Sequence, residues 1–94
     1  MDSVANFQPW QIVYIDSAFH TPIDRLYAEV IDIIESRQMC WARPLLLAQY
    51  PDGAIFPDNP ILYDLRQGAD ILLPISLFRA ALDIEIIPLL VNLN

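Results

Sequence analysis

The chain has 94 residues, 55% of them hydrophobic, and a formal net charge of −7 from twelve acids set against five arginines and no lysine. One domain spanning residues 1–94 is what that length supports, and the apolar fraction excludes intrinsic disorder. The acidity works against binding phosphate backbones or anionic membranes and favours encounter with a basic protein.

No apolar run reaches the ~18–20 residues of a membrane helix. Residues 1–7 read as an N-terminal tail without the basic segment and apolar run of a signal peptide. The single cysteine, Cys40, has no partner for an internal disulfide, which suggests a reducing compartment. A cytoplasmic protein is expected.

Residues 8–16 read as a strand with Trp10, Ile12 and Tyr14 on one face and Gln11, Val13 and Ile15 on the other. A loop holding His20, the only histidine, follows. Residues 22–36 admit two readings. Thr21-Pro22-Ile23-Asp24 looks like a helix start, and Ile23, Leu26, Tyr27, Val30 and Ile34 fit a helical stripe. The β-branched residues and the short polar break Glu35-Ser36-Arg37-Gln38 before another apolar run favour a strand hairpin instead. The strand is the reading adopted here, and a helix at 22–36 within an α+β fold is the alternative.

Residues 39–50 are the clearest strand, and Pro44 predicts a sheet edge or a bulge there. Residues 51–60 form a proline-rich loop. Residues 61–65 and 70–73 read as further short strands around a turn at Gln67-Gly68-Ala69. Ser76 caps a helical turn over residues 77–82, and the alternation of Asp83-Ile84-Glu85-Ile86-Ile87 predicts a last, exposed strand.

The expected fold is therefore mainly β: a small five-stranded barrel with a short helical turn before its last strand. The succession of Glu29-Val30-Ile31, Cys40-Trp41-Ala42-Arg43, Tyr63-Asp64-Leu65 and Asp70-Ile71-Leu72-Leu73-Pro74 resembles SH3-like barrels over about residues 8–90. The resemblance is one of rhythm and implies no activity. Residues 37–45, Tyr63-Asp64-Leu65-Arg66 and Leu77-Phe78-Arg79 also resemble small uncharacterised proteins of cyanobacteria, and no residue roles follow from that. No acidic loop run is paired with a doubled aromatic motif, as a binder of proline-rich peptides would require.

Catalytic signatures are weak throughout. His20 and Cys40 are too few for a zinc site, and His20 reads as a solvated loop residue. Cys40 reads as a buried small hydrophobe, with Arg37 and Arg43 on the opposite strand face. The acids are scattered, with no pair spaced for glycosidase or two-metal chemistry. Gly53 and Gly68 cannot build a phosphate loop. Neither a catalytic residue, a metal nor a cofactor is expected.

Binding residues are easier to nominate. Trp, Tyr and Arg dominate interface hot spots, and arginine's rigid fork suits fixed contacts better than lysine's mobile ammonium. Trp10, Trp41, Arg43, Arg66, Phe78 and Arg79 are the candidates. Their competing roles are internal: Trp41 as core filler, Arg43 pairing with Asp64 or Glu29, and Arg66 and Arg79 as clamps on acidic loop residues. The leading expectation is a non-catalytic interaction module, an acidic adaptor, assembly factor or inhibitor docking on a basic protein such as a nucleic-acid-processing enzyme. The alternative is a homo-oligomer, such as a homodimer, using its apolar C-terminal segment or an edge strand.

Overall fold

Two long strands joined by a four-residue polar turn form the spine of the molecule. In the computed structural model, which describes residues 7–16, 23–51 and 60–93, β1 is Ile12–Asp16, β2 Ile23–Ile34, β3 Met39–Tyr50, β4 Ile61–Asp64, β5 Ile71–Pro74, β6 Arg79–Ala80 and α1 Asp83–Leu93. Glu35–Arg37 makes a 3-10 turn at the β2–β3 tip, closed by Gln38 in the left-handed region at φ 54°. Gln38 donates to the Glu35 carbonyl from both its backbone N–H (3.1 Å) and its side-chain amide (2.9 Å). Twelve residues at ~3.3 Å each account for the longest dimension of 39 Å.

The helix considered for residues 22–36 does not form. The β-branched residues of this segment pair with β3 along nearly its whole length. β1 lies beyond β2, β6 lies beyond β1, and β4 and β5 both pair with β3 on its other side, all antiparallel. The fold is thus mainly β, with six strands rather than five. Among the described residues, no pairing joins the β4/β5 edge to β6 to close a barrel.

Bulges decide which face each half of the spine presents. Leu45 has no partner on β2, since Ala28 pairs with Pro44 and Tyr27 with Leu46. Every even position of β3 is buried, yet Cys40 and Ala42 face one core and Leu46, Ala48 and Tyr50 the other. One extra residue reverses the side-chain parity. The bulge that Pro44 predicted is therefore present. β3 is internal rather than an edge, and Pro44 falls in the interval that neither β5 nor β4 pairs.

The first core joins Val13, Ala28, Val30, Cys40 and Ala42 to Phe7, Ile75 and Phe78, with Ile75 arriving on the 3-10 turn Ile75–Leu77. The second is roofed by α1, whose Ile86 and Leu89 pack on Tyr27, Leu46, Ala48 and Tyr50.

Three expectations need correction. The first strand begins at Ile12, and Trp10 instead sits in a left-handed turn at φ 73°, its N–H bonded to the Val30 carbonyl at 2.8 Å. The helical turn expected over 77–82 is the 3-10 turn Ile75–Leu77 followed by β6. The expected final strand is α1: Glu85 folds back to accept the Leu82 N–H at 2.7 Å, capping the first turn, where Asp83 and Glu85 also suit the helix dipole. Pro88 sits inside the helix and withholds the N–H that would reach the carbonyl of Ile84, an exposed residue.

Candidate functional site

β2 and β3 present different outer surfaces at their two ends. Where β3 carries Leu46, Ala48 and Tyr50, α1 covers the sheet. Towards the Glu35–Arg37 turn, the same side of the sheet shows Trp41 and Arg43, with Asp32 opposite Trp41 and Glu29 opposite Arg43 on β2. Strand alternation places Trp41 and Arg43 on one face, as their spacing predicts.

Asp70 joins them. It follows the turn after β4, where the Gly68 N–H bonds to the Leu65 carbonyl at 3.0 Å. A Cβ on Gly68 would stand 3.3 Å from that carbonyl oxygen, so the tight turn favours glycine. From there one carboxylate oxygen of Asp70 accepts the Trp41 indole N–H at 3.0 Å, and the other lies 3.5 Å from Arg43 Nε. Trp41 is held over a shallow open groove of about 180 Å³, lined by Ile34, Asp70, Ile71 and Leu72. Trp41 is 41% exposed, so it is not core filler. Arg43 pairs with Asp70 rather than with Asp64 or Glu29.

The other candidates lie elsewhere. Trp10 is exposed in its turn. Phe78 is 2% exposed and belongs to the first core, so it offers no surface to a partner. Arg66 makes a two-pronged contact with Asp64 at 3.0 and 2.9 Å, and the Asp64 carboxylate also accepts the Arg66 backbone N–H. Those hydrogen bonds lower the Asp64 carboxyl to about pH 2. Arg79 donates to the carbonyls of Ser76 and Phe78, both at 3.3 Å. Arg66 and Arg79 thus staple local turns.

The arginine that the sequence reading passed over is the buried one. Arg25 on β2 meets Asp16 through Nε at 2.7 Å and Nη2 at 3.1 Å, and Glu85 through Nη1 at 2.9 Å. Its guanidinium carbon lies 4.0 Å from the centre of the Tyr14 ring. Burial opposes its charge, but the Asp16 bond and its neighbours outweigh that and raise its pKa. The Tyr27 hydroxyl donates to the same Glu85 oxygen at 3.1 Å. The β1–β2 register sets Asp16 opposite Arg25, a relation that a hairpin reading of these strands could have found.

Cys40 is fully buried in the first core, and burial pushes its thiol pKa up, away from thiolate reactivity. His20 lies outside the described residues. Among the described residues no group of three or more His, Cys, Asp or Glu is placed to hold a metal ion, and no helix is long and apolar enough to cross a membrane.

No protein-family model matches the chain, and neither a curated protein nor a solved structure matches it.

Proposed function

We infer that the chain is a non-catalytic protein-interaction module, and that the Trp41 groove receives a basic, partly apolar segment of another protein. One observation carries this reading: a half-exposed tryptophan is fixed by an acid above an apolar floor. Fixing the ring before binding reduces the side-chain entropy lost on association. Its open face suits an arginine or lysine, a cation–π contact of roughly 0.5–2 kcal/mol depending on desolvation. Asp70 at the ring, shared with Arg43, and Asp32 opposite Trp41 in the β2–β3 register supply the opposite charge, while Ile34, Ile71 and Leu72 offer apolar contact.

The net charge of −7 supports the same choice of partner, because it steers basic surfaces inward and repels phosphate backbones. A basic surface on a nucleic-acid-processing enzyme is one concrete target for such a module.

Affinity capture at low and moderate salt, with the retained proteins identified, tests the reading. A basic partner should be held by the wild type, released as salt rises, and lost by Trp41→Ala and Asp70→Asn variants with unchanged circular dichroism. Equal retention by both variants, or capture of acidic partners alone, overturns it.

A further inference from the structure

Trp10 occupies a position suited to glycine. Pro9 and Trp10 are the central residues of a turn closed by the bond from the Gln11 N–H to the Gln8 carbonyl at 3.1 Å. Proline favours the first central position of such a turn, and a positive φ at the second calls for glycine or asparagine. Tryptophan stands there at φ 73°, against its own backbone preference. Neighbouring bonds hold the turn in place. The Trp10 N–H reaches the Val30 carbonyl at 2.8 Å, the Val30 N–H the Gln11 carbonyl at 2.9 Å, and the Gln8 N–H the Gln11 side-chain oxygen at 3.0 Å.

Burial does not offset this strain, because Trp10 is 69% exposed and belongs to neither core. Strain of this kind gathers at functional sites, where it fixes a side chain before binding. The place of the turn supplies such a use. Trp10 is bonded to Val30 on the side of β2 that faces β1, while Trp41 pairs with Asp32 on the side that faces β3. Their backbones thus flank one stretch of β2, about 10 Å apart across the sheet. That stretch carries Glu29 and Asp32, neither of them buried.

We propose that Trp10 is a second anchor of the Trp41 surface, and that the basic, partly apolar segment received there runs across β2 from one indole to the other. The inference rests on the Trp41 groove receiving such a segment, and it extends that surface. An extended segment covers the distance in about three residues. Glu29 and Asp32 oppose its charge on the way, and Trp10, like Trp41, offers an exposed ring to a cation.

A blocked hexapeptide of alternating arginine and leucine is the probe, titrated into isotope-labelled full-length protein and followed by NMR. The two tryptophans give two indole N–H signals, which Trp10→Gly assigns. Both should move with one dissociation constant. Trp10→Gly should weaken binding roughly three- to tenfold. It should nevertheless melt no lower than the wild type, since glycine relaxes the turn. Trp10→Ala, which removes the ring and keeps the strain, should bind as weakly and melt below Trp10→Gly. A melting temperature several degrees below wild type in Trp10→Gly gives the ring a structural role and overturns the proposal. Movement of the Trp41 signal alone, or unchanged affinity in Trp10→Gly, overturns it and leaves the groove assignment standing. Silence of both signals in the wild type overturns the groove assignment as well.

Discussion

Arg25 and Glu85 stand sixty positions apart in the chain and 2.9 Å apart in space. Arg25 also grips Asp16 on β1 and lies over the Tyr14 ring, so one side chain ties β1, β2 and α1 together. Glu85 in turn accepts from Tyr27 and from the Leu82 N–H. Among the described residues Arg25 is the one charged side chain that is buried, and it is the junction of the fold.

Breaking this junction should cost more than any surface pair. Removing one partner leaves charges poorly solvated, which costs about 3–5 kcal/mol in a fully buried pair. Asp16 and Glu85 keep some solvent contact, so Arg25→Met should cost about 2–3 kcal/mol. Glu85→Ala should cost a similar amount, because it also removes the cap of α1. Arg25→Lys should retain only part of the stability, since an ammonium cannot reproduce the fork on Asp16. Urea unfolding measures all three, and losses below about 0.5 kcal/mol in both truncations would contradict the role assigned to Arg25.

The core beneath α1 should tolerate no added volume. Ala48 is fully buried in the second core with Tyr27, Leu46, Tyr50, Ile86 and Leu89. A leucine there would overfill that core, and Ala48→Leu should cost about 1–3 kcal/mol through overpacking. Urea unfolding measures the loss, and a cost below about 0.5 kcal/mol would show that the second core has room to spare.

Alkaline pH should weaken the second core. Burial pushes the Tyr27 hydroxyl above its ordinary value of 10.0, helped by the Glu85 charge and opposed by Arg25, and burial likewise raises Tyr50. A raised folded value means that the unfolded chain releases its proton first. Stability is then complete below pH 10.0 and falls as pH rises through the folded values. Tyrosinate absorbance followed beside circular dichroism should show late ionisation coinciding with unfolding. Tyr27→Phe should flatten the alkaline fall while lowering stability at neutral pH by about 1 kcal/mol through the lost hydroxyl bond. Ionisation of these hydroxyls at the ordinary value in the folded protein would exclude the linkage.

Cys40 should be chemically silent until the first core opens. It is fully buried on β3 between β2 and β5, and its thiol pKa is raised. Aromatic disulfide reagents should label the native protein at least ~1,000-fold more slowly than the unfolded chain, in proportion to the open population. Prompt labelling under native conditions would place the thiol at the surface.

The central hairpin was legible because its signals are local. The β-branched segment, the polar Glu35-Ser36-Arg37-Gln38 break and the apolar-rich run of residues 39–50 each act within one strand pair. Pro44 announced an edge or a bulge for the same reason, since a missing N–H disturbs pairing wherever it stands, and the place of β3 inside the sheet left the bulge. Part of the groove was legible too: two residues two positions apart on a strand share a face, which grouped Trp41 with Arg43. Their common partner Asp70 was not, because it arrives from a separate turn whose direction depends on how β5 docks on β3.

The sequence by itself determined a mainly β domain and an acid-rich composition, and it favoured the long hairpin over a helix and offered an edge or a bulge at Pro44, because periodicity, turn chemistry and net charge are properties of short stretches or of composition. Only the tertiary structure decided that residues 83–93 are a helix, that Phe78 is core, and that Arg25 rather than Arg43, Arg66 or Arg79 is the internal clamp. The alternation of Asp83-Ile84-Glu85-Ile86-Ile87 fits a strand as readily as the first turn of a helix. Glu85 caps the helix locally at the Leu82 N–H, but the packing of Ile86 and Leu89 on the second core and the bond from Glu85 to Arg25 across sixty positions arise only once the sheet has formed, and no local pattern encodes them.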